Sequence, residues 1–217
     1  ALIDCGADGE FLKGELEKLH ITGYKIEIKN SIKNGICGTD VNVILEKCEE
    51  HEEGHHNSHR NLMEIEKIIN NSQLNENVKD MSKKIFRKLA ESEAKIHGRP
   101  IEEGHFHEVG AVDSIVDIVG TAICIDYLKI DKFVCSPVNT GMGFVECQHG
   151  LIPVPGPATI ELLKGMPVFS SDINCELVTP TGAAIVSTLC SEYGPLPSMV
   201  VEKVGYGCGK KELEIPN

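Results

Sequence analysis

The chain has 217 residues, 41% of them hydrophobic and 25% charged, no Trp, and a formal net charge of −12. Those proportions suit a globular chain able to bury a real core, in one large domain or two small ones. The acidity excludes a broad nucleic-acid surface, which needs a basic stripe, and no apolar run approaches the roughly 18 residues of a membrane span.

The N-terminus shows no basic stretch followed by an apolar core, so no signal peptide is visible. The nine Cys are odd in number, scattered and without a C-x-x-C pair. That pattern reads as reduced thiols in a cytoplasmic protein, not as a disulfide framework or zinc ribbon.

Residues 8–19 predict a helix with Asp8 as N-cap and Phe11, Leu12, Leu16 and Leu19 on one side. Tyr24, Ile26 and Ile28, then Val41, Val43 and Leu45, alternate with polar residues and predict two strands turning through Asn34-Gly35. Residues 1–46 thus read as a small helix-plus-hairpin unit. Residues 47–60 have no apolar periodicity and read as a flexible loop. Four His lie in it, His51, His55, His56 and His59. Either they collect a metal ion, which imidazole suits, or they and the Glu residues keep the loop solvated.

Two helices follow, one striped by Leu62, Ile65, Ile68 and Ile69, the other by Val78, Met81, Ile85, Phe86 and Leu89. Gly98 and Pro100 end the second, and His97 reads as a helix-end residue. The densest chemistry comes next. His105, His107, Glu108, Asp113 and Asp117 fall within 13 positions, beside the most apolar helix candidate of the chain. A helix beginning near Ala111 puts Asp113 and Asp117 on one face. A helix apolar on almost every side is usually buried, so two carboxylates on it are expected to need a compensating metal or substrate. The alternative is that these five groups cap turns and bond to backbone amides.

A strand is expected over Asp131–Val138, followed by a tight turn at Gly141 and Gly143, where backbone comes close to something. His149 is either a further ligand or an ordinary surface residue. Pro157 opens a helix running to Leu163. Thr179 and Pro180 open another, whose first turn, with Thr181, is either an anion site or a simple cap. Residues 61–217 read as one larger domain. The alternation of short strands and helices predicts an α+β fold.

Four stretches together resemble the LarC-type nickel insertion proteins. They are His105 to Asp117, His149-Gly150-Leu151-Ile152-Pro153-Val154-Pro155, Glu176 to Ala184, and Gly205-Tyr206-Gly207. The resemblance covers most of the chain, including the acidic His-rich loop. It implies a nickel chelatase of the lyase class that inserts Ni(II) into a pyridinium bisthiocarboxylate mononucleotide, with CTP and Mn(II) or Mg(II). It also implies roles for residues. His51, His55, His56 and His59 would collect nickel. His105, His107, Glu108, Asp113 and Asp117 would hold a metal or act on the ligand. Gly141, Gly143, Thr179 and Thr181 would meet a phosphate. Compared with the family, the chain lacks a leading strand with a Gly/Ser-rich turn and a C-terminal domain linked to nucleotide binding. It is therefore expected to be the N-terminal part of a longer protein, working with that domain and as a homo-oligomer. Two other readings are a non-catalytic nickel-delivery module and a metal-dependent phosphohydrolase.

Overall fold

The computed structural model describes residues 1–46, 60–103, 106, 111–147 and 149–215. The four His of the 47–60 loop lie outside these residues, and so do His105, His107 and Glu108. Among the described residues, six α-helices and eight strands, with a short 3₁₀ turn at Ile101–Glu103, make a mixed α+β architecture.

The first helix, α1 (Gly9–Glu17), starts where expected, because the Asp8 carboxylate accepts from the Phe11 backbone N–H at 2.7 Å. Leu12, Leu16 and Leu19 are buried. Phe11 is not, contrary to the expected stripe: it is 43% exposed and packs against the ring of Tyr127, 4.8 Å away between centroids. Strands β1 (Tyr24–Lys33) and β2 (Ile36–Leu45) pair antiparallel with Lys33 opposite Ile36. Asn34 (φ 47°) and Gly35 (φ 80°) turn between them, the left-handed pair that a two-residue hairpin needs.

Helices α2 (Leu62–Asn71) and α3 (Glu76–His97) are capped by Asn61 and Asn75. Helix α3 ends at Gly98, which takes the left-handed conformation. Helix α4 (Val112–Leu128) is the centre of the molecule. Its Ile115, Ile118, Val119, Ala122 and Ile123 are almost wholly excluded from solvent. They share one buried cluster with Leu12 and Leu16 of α1, Ile85, Phe86 and Leu89 of α3, and Ala183 and Ala184 near residue 180. Full burial of each large side chain is worth roughly 1.5–3 kcal/mol, so α4 holds the other helices in place.

Beyond α4 the strands are short. The expected strand over Asp131–Val138 is instead two fragments, β3 (Val134–Cys135) and β4 (Val138–Asn139), split at Ser136-Pro137. A Pro has no N–H for a ladder. Each fragment pairs in parallel with a partner far along the chain. Strand β4 pairs with β7 (Val168–Phe169), and β3 with β8 (Glu192–Tyr193). Between them lie the hairpin of β5 (Phe144–Cys147) and β6 (Gly150–Pro153) and helix α5 (Pro157–Leu162). Helix α6 (Pro180–Leu189) is capped by Thr179, whose hydroxyl accepts from the Gly182 N–H at 3.3 Å. The closing segment returns to the N-terminus, where Asp4 accepts from Thr39 Oγ1 at 2.7 Å and from the Tyr206 N–H at 2.9 Å. Those two bonds hold the Asp4 carboxyl below the usual range, the Tyr206 N–H contributing most.

Candidate functional site

The carboxylates of α4 are on the surface, not buried as the apolar character of the helix led us to expect. Asp113 and Asp117 are both exposed, although Ser114, Ile115 and Val116 beside Asp113 and Ile118, Val119 and Gly120 beside Asp117 are buried. Residues four apart share a face, and here that stripe is the outward one. Asp113 sits in the first turn, where the helix dipole favours a negative charge. Its carboxylate also accepts from the Ser114 N–H at 2.8 Å. Solvent reaches Asp117, yet the protein packed around it removes part of its hydration and raises its pKa. The charge of Asp113 raises it further, and Lys210 opposes both. Asp117 therefore holds its proton more firmly than an ordinary carboxyl.

Phe106, between His105 and His107 in sequence, is 2% exposed and packs tilted against Phe86 of α3, 6.3 Å between ring centroids. Among the described residues no three His, Cys, Asp or Glu side chains are grouped to hold a metal ion.

The glycine turn is real, but what it approaches is the protein itself. Gly141 (φ 73°) would set a Cβ 1.9 Å from the Cys175 carbonyl oxygen, and Gly143 (φ 94°) would set one 1.7 Å from Asn174 Oδ1. Both glycines therefore let the chain pack closely against the 174–175 segment. Thr179 and Thr181 lie at the start of α6, Thr179 exposed and Thr181 half-buried. Thr179 also lines an open groove of about 1020 Å³ with Val138, Phe169, Val178 and Gly182. That groove is walled mainly by carbon.

A second cavity, of about 570 Å³, carries the ionisable groups. Glu93, His97, Cys147, His149, Glu176 and Pro180 line it. The sequence reading passed over His97 as a helix-end residue. It is in fact ion-paired through Nε2 to Glu93 Oε2 at 3.3 Å, and its ring lies 5.0 Å from that of His149. Cys147 Sγ is 3.9 Å from His149 Nδ1. These residues are 50 apart in sequence and meet because the β5–β6 hairpin folds against the end of α3. The one signal in sequence was a Cys and a His two apart beside a turn glycine, too common a pattern to single out.

The charge of Lys210 reaches Asp117 and lowers its pKa, and the next residue, Lys211, donates from Nζ to the Glu176 carbonyl at 2.8 Å.

Comparison with known proteins adds three findings. A family model described as "Nickel insertion protein" matches residues 1–217. A protein of Acetivibrio thermocellus named pyridinium-3,5-bisthiocarboxylic acid mononucleotide nickel insertion protein is 53% identical over 98% of this chain and 53% of its own length. One of Clostridium kluyveri with the same name is 52% identical over 100% of this chain and 56% of its own. A putative nickel insertion protein of Dictyoglomus thermophilum is 50% identical over 100% and 54%. The chain spans about half the length of these curated relatives. No solved structure matches. Identity of this level along the whole chain shows that it belongs to the nickel insertion protein family.

Proposed function

We propose that this chain is the nickel-handling half of an enzyme that inserts Ni(II) into pyridinium-3,5-bisthiocarboxylic acid mononucleotide. The observation that carries the reading is the match, along the whole of this chain and about half of theirs, to relatives named for that substrate. Nickel is cargo here, and the task has three physical parts. The ion must be gathered by ligands that release it, which suits the imidazoles of His51, His55, His56 and His59. The nucleotide's phosphate must be held, and the start of α6, with Thr179 exposed and Thr181 half-buried, offers hydroxyl donors. Last, a metal–carbon bond requires that a ring carbon lose its proton. Asp117, whose pKa is raised by its surroundings, is suited to accept it. Asp113 lies one helical turn away on the same face. His105, His107 and Glu108 complete the set of ligands and proton carriers in sequence.

CTP and Mn(II) or Mg(II) are assigned to the reaction of the full-length family protein. The enzyme acts as a lyase-class chelatase in the cytoplasm, as a homo-oligomer. Division into a 1–46 unit, a 47–60 loop and a 61–217 domain fits these roles, with the loop as collector.

The test is product formation by the full-length protein given Ni(II), CTP and the precursor, repeated with His107→Ala and Asp113→Ala. Both variants are expected to lose most activity. Undiminished product from both would remove the assigned site. If Ni(II) binds but no product forms under any condition, the non-catalytic delivery reading takes its place.

A further inference from the structure

We propose that Cys147 and His149 form a two-ligand site for Ni(II) at the mouth of the 570 Å³ cavity, left open so that sulfur of the incoming nucleotide completes the coordination. This rests on the nickel-insertion reading for the identity of the ion and of the completing ligand.

The geometry suits a chelate. Metal–donor bonds of about 2.3 Å to sulfur and 2.0–2.1 Å to nitrogen, as found for a divalent ion of this size, together span up to about 4.4 Å. The observed separation of Cys147 Sγ and His149 Nδ1 is 3.9 Å, so one ion bridges them with no change of backbone. Both donors sit at the closed end of the β5–β6 hairpin, where Cys147 pairs with Gly150 and Gly150 (φ 85°) makes the turn tight. The hairpin fixes their spacing.

The His149 backbone N–H points at Cys147 Sγ, 3.4 Å away. At present the thiol donates to the Gly150 carbonyl at 3.4 Å. On binding, Ni(II) replaces that thiol proton, which leaves to solvent, with no change of oxidation state. His97 lies against the His149 ring, 5.0 Å between centroids, and is held by Glu93. It is a positioning residue that orients the ligand ring. Thiolate and imidazole are ligands that select a borderline-soft ion such as Ni(II) over Mg(II) or Mn(II).

Two protein ligands also match the task better than four. A closed site would retain the ion, whereas this one holds it with positions facing the cavity. As nucleotide sulfur bonds to the ion, the bonds to Cys147 and His149 break, and the thiolate takes back a proton from solvent. Glu93 and Glu176 add negative charge to the same wall, which draws a cation in.

The experiment is a titration with Ni(II) alone of the full-length protein in which His51, His55, His56 and His59 are all changed to Ala. Thiolate-to-nickel charge-transfer absorption is the readout. We expect a band that saturates at one ion per chain and disappears in Cys147→Ser. His149→Ala should weaken binding by at least about tenfold, and thermal melts without nickel should be unchanged. Absence of the band in the parent, its survival in Cys147→Ser, or unaltered affinity in His149→Ala overturns the site. The two proposals fail separately. If product forms but no band appears, the site is wrong and insertion stands. If the band appears and is lost in Cys147→Ser while no product forms, insertion is wrong and the site stands.

Discussion

Asp117→Asn is expected to make the protein slightly more stable at neutral pH and much less active. The folded protein holds the Asp117 pKa above the model-peptide value, because its hydration is reduced and Asp113 is four residues away. A carboxyl whose pKa is raised on folding binds more protons folded than unfolded. Stability then falls as pH rises through the interval between the unfolded and folded pKa values. At pH 7 the cost is fully present, and Asn removes it. The side chain is exposed, so solvent screens the effect. A like-charge pair at this spacing costs about 0.2–0.5 kcal/mol, and for a chain of this size that corresponds to a rise in Tm of roughly 0.4–2 °C. The assay is thermal unfolding of wild type, Asp113→Asn, Asp117→Asn and the double variant at pH 7 and at pH 3. The cycle should return a coupling of that size at pH 7 and a smaller one at pH 3, where Asp117 with its raised pKa is protonated. If Asp117 also accepts the ring proton, Asp117→Asn lowers turnover of the full-length enzyme by about 10²–10⁴-fold. A variant that is less stable than wild type at pH 7, or a gain that does not depend on pH, would refute the reasoning.

Phe106→Ala should cost roughly 3–5 kcal/mol in urea unfolding, since a ring 2% exposed leaves a cavity against Phe86; a loss under about 1 kcal/mol would show that the anchor collapses freely. Gly141→Ala should destabilise by more than about 1 kcal/mol, and clearly more than Gly35→Ala. Both residues have positive φ, but only at Gly141 does the added Cβ strike backbone. Equal melting points would contradict that close approach. Thr179→Ala should lower stability by about 0.5–2 kcal/mol through loss of the cap on α6. Thr179→Ser should restore it, and if the helix start holds phosphate, the Ala variant also raises the KM for the nucleotide.

Local rules account for what was readable in the sequence. Asn34-Gly35, Asp8 before α1, Gly98 after α3 and Thr179-Pro180 before α6 each act within a few residues, and each structure forms where its signal lies. The parallel pairs β4–β7 and β3–β8 join segments about 30 and 60 residues apart, and no local pattern encodes them. The burial of α4 was legible, but the outward direction of its Asp113–Asp117 stripe was not, because an apolar helix does not declare which narrow face it leaves to solvent. For the candidate site the same division holds. The carboxylate pair follows from helix spacing. The meeting of His97 with His149 and Cys147 depends on where a hairpin docks, and Pro137, which splits β3 from β4, shows how one residue alters such a path.

The account stands on nickel being held by the structured part of this chain and not by the 51–59 imidazoles alone. Anomalous scattering from nickel-soaked crystals of the full-length protein tests that directly. The account predicts peaks within bonding distance of residues in the 105–117 cluster and of Cys147 and His149. Nickel found only at His51, His55, His56 and His59 would contradict it.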